Sequence, residues 1–184
     1  MQSNRKSVYV LDTSAILAGF LTTGTSEKMF VTPLVIAEAN KKLTQDASGI
    51  SLNFSNLYVQ EPSLETVKKI IKRSEVFGEI GNLSATDLSV LALSLDLSQS
   101  NDVRIITDDY SIQNIASTFG LKCYSVMNKG IRSVIKWEYY CKGCRRRFPI
   151  ASKNGLCPVC GSEIIRKPLK KFSKKSEGRN SYKH

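Results

Sequence analysis

The sequence predicts an α/β fold, with a mostly parallel β-sheet flanked by helices and a small C-terminal four-cysteine zinc ribbon. Three observations lead to this prediction. Up to about residue 126, short β-branched runs alternate with amphipathic stretches, which is the pattern of βαβ units. Two Cys-x-x-Cys pairs follow, and the surplus of positive charge lies in the last quarter of the chain. A length of 184 residues allows one core and one small appendage.

Strand and helix signals alternate from the start of the chain. Val8–Leu11 predicts a buried strand that ends at Asp12, where a short helix begins. Met29–Val31 predicts a second strand. Thr32-Pro33 then supplies an N-cap and an N1 proline for a helix to about residue 43. The run Leu57–Val59 predicts either an edge strand or an extended connection.

The same alternation continues to the cysteine pairs. Ser63 and Ser84 each precede a helix as candidate N-caps, and the second helix is the most apolar of the chain. These helices are expected to end near Gly78 and Ser98. The remaining predicted elements are the strand Val103–Ile106, the helix Ser111–Phe119 stopped by Gly120, the strand Leu121–Val126, and a strand within Ile131–Tyr140.

A glycine marks the expected boundary between the two parts of the chain. Gly130 follows the last predicted strand of the α/β unit. We therefore expect an α/β domain over residues 1–130, a connector and zinc ribbon over 131–166, and a basic flexible tail over 167–184.

Four cysteines form two short pairs with the spacing of a closed zinc site. Cys141 and Cys144 are separated by a twelve-residue spacer from Cys157 and Cys160. Four sulfur ligands leave no open coordination position, so the expected zinc ion is structural. The alternative is two disulfides, which an intracellular domain without a signal peptide disfavours. Cys123 lies outside the set in an apolar run and is expected to be a buried small hydrophobe.

The distribution of charge indicates the kind of partner. The formal net charge is +11, with 14 basic and 14 acidic residues up to residue 140 and 13 basic and 2 acidic residues after it. A segment with this excess attracts polyanions, and nucleic acid is the obvious one. No apolar run approaches the length of a membrane span, so we expect a soluble protein.

A compact basic cluster lies inside the expected ribbon. Arg145, Arg146 and Arg147 precede Phe148 directly after the first cysteine pair. Fixed guanidinium groups beside an aromatic ring form a good surface for single-stranded nucleic acid. The alternative interpretation is that residues 166–184 are only a solvated, solubilising tail.

Several carboxylates are expected to converge at the carboxyl ends of the parallel strands. Asp12 follows the first strand, and Asp108 and Asp109 follow the strand that ends at residue 106. Asp87 lies in the first turn of the apolar helix, and Glu38 lies one turn along an earlier helix. Reactive groups of open α/β sheets gather beyond the carboxyl ends of the strands.

Each of these acids also has a structural interpretation. Asp12 and Asp109 precede helices and could be N-caps, and Asp87 follows Ser84 at capping-box spacing. Glu38 could be a surface helix charge. Together, however, several acids at one edge repel one another unless a cation neutralises them. Carboxylate oxygens without histidine suit Mg²⁺ or Mn²⁺.

The histidine count narrows the chemistry. The single histidine is His184, the last residue, which argues against a Ser-His-Asp triad, a histidine general base and a histidine-ligated catalytic zinc. Metal-assisted hydrolysis remains, in which a cation lowers the pKa of its water and stabilises the leaving oxygen.

Four segments resemble the motifs of PIN-domain nucleases. They are Val10-Leu-Asp12-Thr-Ser14-Ala-Ile-Leu-Ala-Gly19, Thr32-Pro-Leu-Val-Ile-Ala-Glu38, Leu83-Ser-Ala-Thr-Asp87-Leu-Ser-Val-Leu-Ala92 and Ile106-Thr-Asp108-Asp109-Tyr110-Ser-Ile-Gln113-Asn114. The order of PIN domain, connector, four-cysteine ribbon and basic tail resembles the Nob family. These archaeal and eukaryotic endoribonucleases trim the 3′ end of small-subunit ribosomal RNA in the precursor subunit.

The resemblance implies a role for each matching position. Four acids would hold Mn²⁺ or Mg²⁺ as the catalytic residues: Asp12, Glu38, Asp87 and Asp109. Asp109 is preferred over Asp108 because the family's acid usually stands two residues after the threonine, here Thr107, and Asp108 would be an extra acid outside the ligands. Ser14 and Thr107 would donate hydrogen bonds to the ligands. The basic cluster would bind RNA beside the zinc ribbon.

The expected function is therefore a metal-dependent single-strand endoribonuclease that matures the 3′ end of small-subunit rRNA. Its expected partners are ribosomal RNA, the precursor small ribosomal subunit and other assembly factors, in the cytoplasm and away from membranes. Two alternatives remain open. One is a PIN-type toxin RNase acting on tRNA or mRNA, and the other is a non-catalytic RNA-binding ribosome assembly factor.

Overall fold

A five-stranded parallel sheet forms the centre of the N-terminal domain. The computed structural model describes residues 5–45, 54–127, 130–131, 133–148, 152 and 154–173. The strand order is β3-β2-β1-β4-β5, and every pairing in this sheet is parallel. The strands are β1 Ser7–Leu11, β2 Lys28–Val31, β3 Leu57–Val59, β4 Asp102–Ile106 and β5 Lys122–Tyr124. Leu57–Val59 is therefore an edge strand.

Helices flank this sheet and begin where the sequence places capping residues. They are α1 Thr13–Leu17, α2 Pro33–Gln45, α3 Leu64–Val76, α4 Ala85–Leu97 and α5 Tyr110–Thr118, with 3₁₀ turns at Phe20–Thr22 and Ile80–Asn82. The Ser63 hydroxyl accepts from the Thr66 amide, and Ser84 forms a complete capping box with Asp87. Such caps satisfy amides that have no partner within the helix.

The core lies between the central strands and α4. Val10 and Leu11 in β1 and Ile105 in β4 are fully buried, and so is the α4 run Val90–Leu93. A helix that is apolar on all sides is expected to be buried on all sides, which matches the position of α4. This packing fixes the carboxyl ends of β1 and β4 relative to the first turn of α4.

The strand order creates a crevice between β1 and β4. The chain leaves β1 toward β2 on one side and later returns to β4 on the other side. Ligands of open α/β sheets bind at such a switch point, outside the carboxyl ends of the strands. Asp12 follows β1 directly, and Thr107 follows β4 directly.

The C-terminal part of the chain forms a three-stranded antiparallel sheet in the order β7-β6-β8, with β6 Ser133–Cys141, β7 Arg147–Phe148 and β8 Ile164–Ser173. The prediction of a flexible tail from residue 167 is wrong for residues 167–173, because β8 pairs with β6 over its whole length. Residues 174–184 lie outside the described part of the chain.

Within the described residues, no helix has the length and apolar character needed to span a bilayer.

Candidate active site and zinc site

Asp12 occupies the centre of the crevice between β1 and β4. Its side chain is buried at 5% exposure, and its backbone amide donates to the Ile106 carbonyl at 3.1 Å. Asp12 is the N-cap of α1, and its Oδ1 accepts from the Thr13 amide at 2.6 Å. Its Oδ2 accepts from the Ser14 and Thr107 hydroxyls, both at 2.9 Å. These donors hold the carboxylate in one orientation.

The two hydroxyls also connect Asp12 to the segment after β4. Ser14 Oγ accepts from the Asp108 amide at 3.3 Å, and Thr107 Oγ1 accepts from the Asp109 amide at 3.0 Å. Each hydroxyl thus donates to the carboxylate of one strand end and accepts from the backbone of the other. The structure places Ser14 and Thr107 where the sequence analysis expects hydrogen-bond donors.

Asp109 and Asp108 point to different surroundings. Asp109 is the N-cap of α5, and its Oδ1 accepts from the amides of Ser111 at 2.6 Å and Ile112 at 3.3 Å. The Asp108 carboxylate instead accepts from the Ser125 hydroxyl and, at 3.2 Å, from the Met127 amide. Asp108 therefore anchors the segment after β5, an interaction that nothing in the local sequence indicates.

Asp87 lies in the capping box of α4 and within electrostatic reach of the other acids. Its Oδ2 accepts from the Ser84 amide at 2.7 Å. Burial raises the pKa of Asp87, the hydrogen bonds with Ser84 oppose that rise, and the negative charges of Asp12 and Asp109 add to it. The structure therefore brings together Asp12, Asp87 and Asp109, which come from three separate stretches of sequence.

Glu38 lies on α2 and carries its own counter-charge. Lys42 donates to Glu38 Oε1 at 2.7 Å, one helical turn along. This hydrogen bond lowers the pKa of Glu38, partial burial opposes the effect, and the Thr86 hydroxyl lowers the pKa further. Contact with Thr86 places Glu38 beside the residue that precedes Asp87. Lys42 is not among the predicted site residues, although its i, i+4 spacing from Glu38 is visible in the sequence.

These carboxylates have the chemistry that a hard divalent cation prefers, although among the described residues only the four ribbon cysteines bring their ligand atoms within 4.8 Å of one another. Asp109 and Asp87 each use one carboxylate oxygen as a cap, and their other oxygens have no hydrogen bond among the described residues. The Thr13 hydroxyl beside Asp12 is buried without a partner in the same part of the chain. Carboxylate oxygens, with no imidazole beside them, are the ligands that Mg²⁺ and Mn²⁺ prefer.

The four ribbon cysteines form a closed sulfur cluster. All four Sγ atoms lie within 4.8 Å of one another. The separation is 3.5 Å between the sulfurs of Cys141 and Cys160 and 3.6 Å between those of Cys144 and Cys157. A disulfide requires about 2.05 Å, whereas Zn–S bonds of about 2.3 Å place tetrahedral sulfurs about 3.8 Å apart. The four cysteines could therefore bind one zinc ion.

The backbone around the sulfurs favours the metal-binding state. A Cβ at Gly143 would collide with the Ser162 side chain and lie 3.4 Å from Cys160 Sγ. Gly161 has a φ of 72°, which residues with a side chain rarely adopt. Hydrogen bonds with the Ser162 hydroxyl and backbone lower the pKa of Cys160 to about 6. Cys160 is thus biased toward the thiolate that coordinates metal, whereas at Cys144 a backbone hydrogen bond lowers the pKa but burial and the neighbouring sulfurs outweigh it and raise that pKa to about 11.

The arginine cluster is exposed beside the sulfur cluster. Arg145, Arg146 and Arg147 are all exposed, and Phe148 is half-buried. Arg147 and Phe148 form β7, in register with Tyr140 and Tyr139 of β6. An ion pair of 3.4 Å links Arg147 to Glu138 and partly neutralises its charge. Arg145 and Arg146 have no ion pair among the described residues.

Comparisons with known proteins agree with this geometry. Residues 9–97 match the family model described as "PIN domain of ribonuclease". The chain is 35% identical over 172 residues to "Endoribonuclease Nob1" of Archaeoglobus fulgidus, covering 93% of this chain and 97% of that protein. It is 35% identical over 160 residues to "Endoribonuclease Nob1" of Methanothermobacter thermautotrophicus, covering 86% and 91%. It is 37% identical over 159 residues to "Ribonuclease VapC1" of Thermoplasma acidophilum, covering 86% and 77%.

We expect the purified protein to contain about one zinc ion per chain, because the closed sulfur cluster has four ligands. The variant Cys160→Ser should lose most of this zinc, as measured by elemental mass spectrometry. The matched control is Cys123→Ser, since Cys123 lies in β5 outside the cluster. Equal zinc content in the two variants would contradict the assignment.

We expect Asp87→Asn to raise the melting temperature in EDTA at neutral pH, because it removes a half-buried charge that lies near two other negative charges. The folded pKa of Asp87 lies above its unfolded value, so its destabilising effect grows as the pH rises through that interval. The gain of the variant should therefore disappear in acid. Added Mn²⁺ should stabilise the wild type more than the variant.

The control for this measurement is Asp96→Asn on the same helix. The Asp96 carboxylate accepts from the Thr66 hydroxyl at 2.6 Å and from the Ser63 amide at 2.7 Å. Its amide replacement should cost about 1–3 kcal/mol, because one of the two acceptor oxygens becomes an NH₂ group and the donor facing it loses its acceptor. If both variants were destabilised alike, charge crowding at Asp87 would be excluded.

Proposed function

The chain belongs to the Nob1 endoribonuclease family, and from this membership we propose that it is a divalent-metal-dependent, single-strand endoribonuclease. We propose further that its substrate is the precursor of small-subunit rRNA, which it cuts at the mature 3′ end within the precursor ribosomal subunit. The observation that carries the proposal is that Asp12 and Asp109, which follow the paired strands β1 and β4, lie within electrostatic reach of Asp87.

The carboxylates would hold Mn²⁺ or Mg²⁺ through the oxygens that their caps leave unused. Asp12, Asp87 and Asp109 surround the crevice, and Glu38 would join through the oxygen that Lys42 does not engage. The bound ion supplies an activated water and a positive charge for the leaving oxygen. The protein contributes orientation, because hydrogen-bonded carboxylates cannot turn away when a phosphodiester approaches.

The residues around the acids determine how well that orientation is kept. Ser14 and Thr107 fix Asp12 Oδ2, and the first turn of α5 fixes Asp109 Oδ1. Loss of such an outer hydrogen-bond partner typically costs roughly 10–100-fold in metal affinity or activity. Asp108, which holds the segment after β5, would act only through the position of its backbone.

The ribbon would supply the attraction for RNA that the acidic crevice lacks. The domain up to residue 140 has no net charge, whereas the 44 residues after it hold the whole excess of +11. The exposed guanidinium groups of Arg145, Arg146 and Arg147 would contact phosphates, and Phe148 would offer a ring edge for a base. Zinc would hold this surface in shape. Assembly factors of the precursor subunit would be further partners, in the cytoplasm.

Similarity to the protein named "Ribonuclease VapC1" supports one second candidate. In that case the same acids would cut tRNA or mRNA as a toxin-type RNase. A non-catalytic assembly factor is the candidate of a different class, in which the acids only cap helices. These possibilities differ in what is cut and in whether anything is cut at all.

The main experiment incubates the protein with RNA that spans the 3′ end of small-subunit rRNA, with Mn²⁺, Mg²⁺ or EDTA. We expect cutting at one position with either ion and none in EDTA. Asp12→Asn should lower the rate by more than the roughly 10–100-fold of an outer-partner loss. RNA affinity should stay equal or rise, because a negative charge is removed. Rates come from gel analysis and affinities from anisotropy.

The matched control is Asp102→Asn, at the opposite end of the same sheet. It should cut at the wild-type rate. Cutting of tRNA alone would favour the toxin-type RNase, and tight binding without cutting would favour the assembly factor. An undiminished rate for Asp12→Asn would overturn the carboxylate assignment.

We expect the triple replacement of Arg145, Arg146 and Arg147 by alanine to flatten the salt dependence of RNA affinity. Each lost phosphate contact should reduce the slope by about 0.7 for single-stranded RNA. Measurements use the Asp12→Asn background so that the RNA stays intact. The control replaces three lysines by alanine in the same way: Lys6, Lys28 and Lys122. They lie at the amino ends of the strands of the N-terminal sheet, away from the carboxylates. If RNA affinity had the same salt dependence in both triple variants, the arginine cluster would contribute solubilising charge and no specific contact with RNA.

A further inference from the structure

The ribbon is seated directly on the N-terminal domain through its strand β6. We propose that this seating fixes the ribbon in one orientation and thereby selects which phosphodiester reaches the carboxylates, with Gly78, Glu79 and Asn114 as the positioning residues. The inference rests on the proposed function and deepens it. A ribbon on a free tether would only raise the local concentration of RNA. A seated ribbon also sets the distance between the gripped nucleotides and the cut.

Gly78 brings the two backbones into contact. It follows α3 with a φ of 65°, and a Cβ placed on it would lie 2.6 Å from the Trp137 carbonyl oxygen. The neighbouring Phe77 carbonyl accepts from the Trp137 amide at 2.9 Å. A glycine is required here for two reasons. Residues with a side chain rarely adopt this positive φ, and a side chain would also collide with β6.

Glu79 provides a buried charge that the ribbon neutralises. Glu79 is 2% exposed, and its carboxylate accepts from Arg166 Nη2 at 2.6 Å and from Asn114 Nδ2 at 2.7 Å. Arg166 belongs to β8 and also donates to the Gly78 carbonyl at 3.2 Å. Its guanidinium lies 4.1 Å from the centre of the Trp137 ring. Separation of the ribbon would break the buried pair of Glu79 and Arg166, and loss of one partner of such a pair is strongly unfavourable.

Helix α5 links this seat to the candidate active site. Asn114 pairs with both backbone groups of Ile135 in β6, accepting from its amide and donating to its carbonyl, each at 2.7 Å. One position earlier, Gln113 donates to the Thr107 carbonyl at 3.0 Å and accepts from the Ile131 amide at 2.8 Å. Asp109 caps the same helix. One short helix therefore contacts the Asp12 partner Thr107, the connector and the ribbon strand.

The consequence for RNA cutting is geometric. The RNA-binding surface on β7 and the carboxylates at the end of β1 are joined by hydrogen-bonded, buried contacts rather than by a loose connector. A shift of about 1 Å in a positioned substrate can cost roughly 100-fold in rate. Disturbing the seat should therefore alter both the rate and the place of cutting for RNA that binds both parts.

The sharpest test compares two glycine replacements that share one backbone strain. Gly78→Ala introduces positive-φ strain and the collision with Trp137. Gly120→Ala introduces the same kind of strain, since Gly120 follows α5 with a φ of 72°, but nothing lies within 4 Å of its added Cβ. Any difference beyond the shared strain reports the contact with the ribbon.

The first readout needs no RNA. Exchange of the Ile135 and Trp137 amides, followed by NMR, reports the seat directly, because both amides donate to the N-terminal domain. We expect at least about tenfold faster exchange in Gly78→Ala than in Gly120→Ala, the fold-change that corresponds to about 1.4 kcal/mol of opening free energy. Equal exchange would overturn the seating.

The second readout is cutting of two RNAs. One spans the ribbon surface and the crevice, and the other is a short single strand that fills the crevice alone. Relative to Gly120→Ala, we expect Gly78→Ala to cut the long RNA at least about tenfold more slowly and at several neighbouring positions. The short RNA should be cut at equal rates. An unchanged position and rate on the long RNA would overturn the positioning role.

A second pair of variants covers a failure of Gly78→Ala to fold. Glu79→Gln should give the same pattern, with Glu163→Gln as control, because Glu163 forms an exposed ion pair with Lys142 within the ribbon. Failure of the two proposals is distinguishable. If the wild type cuts no RNA, the proposed function and the positioning role both fall. If it cuts and the seat variants cut like their controls, only the positioning role falls.

Discussion

The buried hydroxyl of Thr107 joins the two strand ends on which the candidate active site depends. Thr107 is fully buried, donates to the Asp12 carboxylate and accepts from the Asp109 amide. Ser14 makes the same kind of connection to Asp108. Carboxylates that repel one another must be held by fixed donors when no cation is present. The Thr107 and Ser14 hydroxyls are such donors. They are uncharged, so the carboxylates keep the negative charge that would attract a cation.

The acids show that a helix cap uses only part of a carboxylate. A carboxylate has two oxygens, and Asp87 and Asp109 each commit one of them to a helix terminus. The cap orients the side chain and leaves the second oxygen without a hydrogen bond among the described residues. The structural interpretation of each acid is thus correct, and it explains how the site is built rather than arguing against one.

The relation between the two parts of the chain is closer than the charge distribution indicates. Separate net charges of zero and +11 predict a neutral domain with a basic appendage. The buried Glu79–Arg166 pair and the Asn114–Ile135 hydrogen bonds instead make the stem of the ribbon part of a shared interface. The strand β8 extends to Ser173 for the same reason, since it pairs with a β6 that is itself held in place.

Periodicity, capping residues and cysteine spacing in the sequence were enough to predict much of this structure. They gave the parallel sheet, the helix starts at Pro33, Ser63 and Ser84, and the sulfur cluster, because these features depend on neighbours within a few residues. The acids were placed at the correct edge of the sheet because the ends of parallel strands share one edge.

Tertiary structure decided what depends on distant partners. The turn of Asp108 toward Ser125, the neutralisation of Glu79 by Arg166 and the extension of β8 involve residues 17 to 87 positions apart. No local pattern encodes such pairs, because a buried charge or an edge strand is stabilised by whichever segment the fold brings beside it. Sequence therefore specified the chemical groups, and packing specified which of them meet.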